Sequence, residues 1–159
     1  MKTMAFLVIP LLLANQGASA AGAMGNSALA LASLVAENSP LLNINEKSVL
    51  ARAFDGGFSS TVPTGQKISV EADAIVCRAS NVDITSRSCT LTFGKNAVAV
   101  KGRKAHELFA TIAEIGVPSE GAAGSIYEGL SHLVCAIDPH EIQQNAGGGA
   151  SCEFDAVAP

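Results

Sequence analysis

The chain has 159 residues, 48% of them hydrophobic, 4% aromatic and 15% charged, with 10 Lys and Arg against 14 Asp and Glu. A net charge of −4 with one Tyr and no Trp excludes a nucleic-acid binder, which needs clustered cations and aromatic stacking platforms. So apolar a chain with so few charges is not a disordered one either, and its length suits one small domain.

Residues 1–20 read as a signal peptide. Lys2 gives a basic start, Met4 to Ala14 is an uncharged apolar run, and Ala18-Ser19-Ala20 offers small side chains to a signal peptidase, with cleavage after Ala20. The apolar run is about half of the roughly 20 residues a spanning helix needs. No cysteine lies nearby to carry a lipid. The expected product is therefore residues 21–159, a single disulfide-stabilised domain, exported to a periplasmic or secreted location without stable membrane insertion.

Ser27 to Asn38 is rich in Ala and Leu and predicts a helix. A second helix follows, with Asn45 as cap, Val49, Leu50, Ala53 and Phe54 as its apolar face and Gly56 as its end. After the Val62-Pro63-Thr64 turn, Ile68, Val70, Ala72, Ala74 and Val76 alternate with polar residues for most of the run, the period of a half-buried strand. Ser88 to Phe93 alternates likewise, and Gly94-Lys95 reads as a tight turn into Ala97 to Lys101. Ala105, Leu108, Phe109, Ile112 and Ile115 share one helical face, with Gly116 as the left-handed stop and Pro118 beyond it. Ser125 to Ile137 fits helix and strand spacing alike.

An internal repeat decides that case. A shift of 58 brings Leu50 onto Leu108, Ile68 onto Ile126, Val76-Cys77 onto Val134-Cys135 and Asp83-Ile84 onto Glu141-Ile142. Small gaps add Val62-Pro63-Thr64 on Val117-Pro118-Ser119 and Ser88-Cys89 on Ser151-Cys152, with 145–149 as a loop insertion. Ser125 to Ile137 then becomes a strand, with His132 on its buried side at the place of Ala74. The fold class is α+β, an antiparallel sheet with helices on one face, built from two imperfect helix-strand-strand repeats at about 44–101 and 102–157.

The four cysteines lie after the signal peptide, and export favours disulfides. Their spacings do not suit a structural zinc site. Of the three possible connectivities, the repeat favours Cys77 with Cys89 and Cys135 with Cys152.

Chemistry is sparse. No Gly-x-Ser-x-Gly elbow, His-Glu-x-x-His or Cys-x-x-Cys occurs, and Gly121-Ala122-Ala123-Gly124 lacks the ending of a phosphate loop. No cofactor and no metal set is implied. His106 reads as a surface residue. Asp138-Pro139-His140-Glu141 gathers two carboxylates and an imidazole, though Asp-Pro-x-Glu is also an ordinary turn sequence.

Two copies with a disulfide each resemble, in arrangement only, the tandem-repeat β-lactamase inhibitory proteins. Those bind through many aromatic residues, which this chain lacks, so no residue is carried over. Ala123-Gly124-Ser125-Ile126-Tyr127 resembles the Ser-Gly-x-x-Tyr loop of periplasmic lysozyme inhibitors, with Ala123 in place of the motif's serine, and does not imply membership.

The expected function is a non-catalytic binding or inhibitory module with another extracytoplasmic protein as partner. Its surface would be the loops Arg78 to Ser88 and Ala136 to Ser151, brought to one end of the sheet, with Arg78, Asp83, Arg87, Asp138, His140 and Glu141 as contacts. The alternative is a small extracytoplasmic hydrolase or metal-assisted enzyme using Asp138, His140 and Glu141.

Overall fold

A computed structural model describes residues 19–54, 66–80, 83–117, 119–122, 125–144 and 148–157. The apolar leader up to residue 18, Gly56, the Val62-Pro63-Thr64 turn, Pro118, Ala123-Gly124 and Asn145 to Gly147 lie outside them.

The elements are β1 (Ser19–Met24), α1 (Gly25–Asn38), α2 (Ile44–Phe54), β2 (Ile68–Ser80), β3 (Ser88–Phe93), β4 (Asn96–Lys101), α3 (Arg103–Glu114), β5 (Glu120–Ala122), β6 (Ser125–Ile137), α4 (Pro139–Gln144) and β7 (Ala150–Ala156). The strands form one antiparallel sheet in the order β1-β7-β6-β2-β3-β4, with β5 beside the start of β6. The class is α+β as the sequence predicts, with helices packed on one face. The core between them holds Leu31 and Val35 of α1, Leu108 and Ile112 of α3, and Ile75, Leu91, Leu130 and Leu133 of the sheet.

Helix boundaries follow local chemistry. Asn45 does not cap α2. Asn43 does, its Oδ1 accepting from the amides of Asn45 at 2.9 Å and Glu46 at 3.0 Å, while Glu46 Oε2 accepts from the Asn43 amide at 2.9 Å. This reciprocal pair satisfies donors that the first turn leaves open. Gly116 ends α3 with φ 85°, a conformation glycine adopts without steric cost.

The strand alternation holds in only half of β2. Ile68, Val70 and Ala72 are buried, but beyond Asp73 the phase slips and Ile75, Cys77 and Ala79 face the helices instead of Ala74 and Val76. β6 changes phase opposite, where Asp73 and His132 are not register partners and His132 has φ 52°. That kink turns His132 outward. Its side chain is 79% exposed rather than buried, and its Nδ1 lies 3.0 Å from Asp155 Oδ2.

The sheet reads alike from both edges. Cys77 and Cys89 are register partners bridged by a disulfide, as are Cys135 and Cys152, with Cα atoms 4.0 Å apart in each case. Val100 pairs with Cys89 as Ala23 pairs with Cys152. Gly102, with φ 66°, opens α3 directly after β4, and Gly25, with φ 63°, opens α1 directly after β1. Cys89 Sγ approaches the carbonyl of Ala105, and Cys152 Sγ that of Ala28. Relative to its disulfide, α1 thus takes the place that α3 takes, whereas the expected repeat at 44–101 and 102–157 sets α2 against α3. Dividing the chain into halves of β1 to β3 and β4 to β7, the first strand of each lies against the other half, β1 against β7 and β4 against β3.

Candidate functional site

The two loops expected to share one end of the sheet lie at opposite ends. Ser80 pairs with Ser125 and Ile68 with Ile137, so antiparallel β2 and β6 send the first loop one way and the second the other. A strand of 13 residues separates them by roughly 40 Å.

At the far end, Asp138 caps α4. Its Oδ1 accepts from the amides of His140 at 3.1 Å and Glu141 at 3.2 Å, with Pro139 at the first helical position, and Lys67 Nζ lies 3.8 Å from Oδ2. His140 Nε2 accepts from the side-chain amide of Gln144 at 3.2 Å. The Asp138 carboxylate and the His140 imidazole are therefore engaged in local helix chemistry. Among the described residues, no group of three or more His, Cys, Asp or Glu could hold a metal ion.

The near end is organised differently. Asp83 caps the single 3-10 turn Ile84–Ser86, its Oδ1 accepting from the Thr85 hydroxyl at 2.6 Å and the Thr85 amide at 2.8 Å. Those bonds, the hydroxyl's first, hold its carboxyl below the usual value. The sheet separates Arg78 from Arg87. Arg78 lies on the uncovered face, its guanidinium 5.9 Å from the ring centre of Tyr127. Arg87 lies on the helix side, 4.9 Å from the ring centre of Phe109, and donates to Nδ1 of the exposed His106.

Beneath α3 lies a residue that the sequence reading does not single out. Glu128 is wholly buried on the helix-facing side of β6, paired in register with Cys77. The Ser119 hydroxyl donates to its Oε1. Its Oε2 and the Nε of Arg87 are both buried without a hydrogen-bond partner among the described residues. Burial pushes the carboxyl's pKa up, against the smaller opposing pulls of the Ser119 bond and the Arg87 charge. A buried acid of this kind marks a place where folding alone would have chosen otherwise.

The opposite half shows what folding alone chooses. Where one half has Glu128, Arg87, Phe109 and His106, the equivalent positions of the other hold Val70, Ala150, Ala32 and Leu29, all buried. A shift of 58 along the sequence sets Glu128 on Val70, a core position. Two surface grooves, of about 270 and 410 Å³, lie along α2 and do not include this cluster. Comparison with family models, curated proteins and solved structures finds no match for the chain.

Proposed function

We propose that the chain is an exported binding module without catalytic activity, and that it engages another extracytoplasmic protein at the sheet end where the 3-10 turn meets the first turn of α3. The observation that carries this reading is the buried Glu128 bonded to Ser119, with Arg87 donating to His106 beside it, where the matching places beside the other disulfide hold the apolar Val70, Ala150 and Leu29. Glu128 is too enclosed to meet a substrate. What it can do is bond Ser119 and attract the charge of Arg87, which in turn donates to the exposed His106.

Export is supported by the basic start, the apolar run and the small residues before Ala21. The two disulfides fit an oxidising compartment. Among the described residues, no helix is long and apolar enough to cross a membrane. Amino-terminal sequencing of material from an exporting host should read Ala21-Gly22-Ala23, and an intact Met1 in the membrane fraction would contradict it.

The binding test is capture from the exported fraction on immobilised mature protein. Asp83→Ala with His106→Ala should abolish capture, whereas Glu141→Ala should leave it intact. Equal capture by all variants would overturn the assignment of this end. Hydrolytic turnover with stoichiometric metal, lost in His140→Ala, would establish the enzymatic alternative instead.

A further inference from the structure

Helices pack on one face of the sheet, and the other is uncovered among the described residues. Across its middle lie Val76, Thr90 and Ala99, small or β-branched side chains that leave a shallow surface, while Gly129 beside them is buried beneath the Tyr127 ring and the Val157 carbonyl. Val134, 47% exposed, adds an apolar contact. Such a surface suits sheet-on-sheet packing, in which two faces approach to about 10 Å.

Its two basic residues lie in one row running across the strands and its acidic ones mostly in another. The first row carries Lys101 of β4, Ser88 of β3, Arg78 of β2 and Tyr127 of β6, and ends on Glu120 of β5, the register partner of Tyr127. The other carries Glu71 of β2, Val134 of β6, Glu153 of β7 and Gly22 of β1. Asp73 and Asp155 lie beside the second row, Asp155 being paired with His132. The internal equivalence of the halves makes the arrangement pointed. Arg78 and Lys101 correspond to Ala136 and Met24, and Glu71 and Glu153 to Gly129 and Thr90, so neither row is repeated in the other half.

We propose that this face associates with the same face of a second copy of the chain, the basic row of each copy lying on the acidic row of the other. A two-fold axis in the plane between the copies achieves this, because an isologous contact makes each charged row meet its complement twice. The extent is sufficient. Six strands about 4.8 Å apart and about six residues long span at least roughly 500 Å² per copy, or about 1,000 Å² in all, the lower bound for a specific interface. The contact is independent of the partner site proposed above, which lies on the helix side of the sheet.

Sedimentation of the mature protein reads the association directly. The expected result is a doubling of mass as concentration rises to several hundred micromolar, weakened by added salt. Arg78→Glu with Lys101→Glu, and separately Glu71→Lys with Glu153→Lys, should each give a monomer with an unchanged circular dichroism spectrum. An equimolar mixture of the two variants should recover the dimer, since each then presents what the other lacks. Monomeric wild-type protein across that range, variants that dimerise as wild type does, or a mixture that stays monomeric would each overturn the proposal. Sedimentation needs no second protein, so failure here and failure of the capture experiment are separate results.

Discussion

Single residues decide the chemistry of this chain more than its motifs do. Glu128 is buried with one oxygen unpartnered and its pKa raised by desolvation, so its charged form costs more than Ser119 and Arg87 return. A raised folded-state pKa means that the folded protein holds this proton more tightly than the unfolded chain does. The stabilisation is complete below the ordinary value of 4.5 and is lost as pH rises through the folded value. Glu128→Gln should therefore stabilise the protein at neutral and alkaline pH, on the order of 1 kcal/mol, and flatten its melting temperature against pH. An unchanged pH profile would show that the burial penalty is met elsewhere. Asp138 is a contrasting case, because its carboxylate works as a helix cap. Asp138→Ala should cost about 1 kcal/mol in chemical denaturation, where an idle surface charge would cost almost nothing.

At the scale of elements, the cross-strand disulfides close loops with sequence separations of 12 and 17. On the chain-entropy estimate each contributes about 3 kcal/mol, the longer loop slightly more. Replacing either pair by alanine should lower the denaturation midpoint by similar amounts, and non-reducing peptide mapping should find only the pairings Cys77–Cys89 and Cys135–Cys152. These pairings were legible because two strand ends repeat with their cysteines, and α3 was legible because its apolar spacing is strict. The kink shared by β2 and β6 was not. It depends on two strands changing phase together at Asp73 and His132, a tertiary event that leaves no period in either strand alone. The position of α1 was hidden for a related reason. Its equivalence to α3 runs through register partners in other strands, Ala23 with Cys152 and Val100 with Cys89, and not through resemblance along the chain.

For the whole molecule, the antiparallel β2–β6 pair governs what can act together. It sends Asp83 and Arg87 to one end and Asp138, His140 and Glu141 to the other, so these two sets of polar residues cannot share a ligand. The exchange of first strands has a consequence for how the chain may be cut and rejoined. Ser19 pairs with Ala156, so the backbone passes almost full circle round the sheet. The exposed Gly94-Lys95 turn occupies, in the opposite half, the place of the break between residues 157 and 19. A circular permutant beginning at Lys95, ending at Gly94 and joined from residue 157 to residue 21 by a short linker keeps both disulfides and every strand pairing except those of Ser19 with Ala156 and Ala20 with Asp155. It should unfold in one cooperative transition, its midpoint shifted only by the altered closure entropy of the new loop.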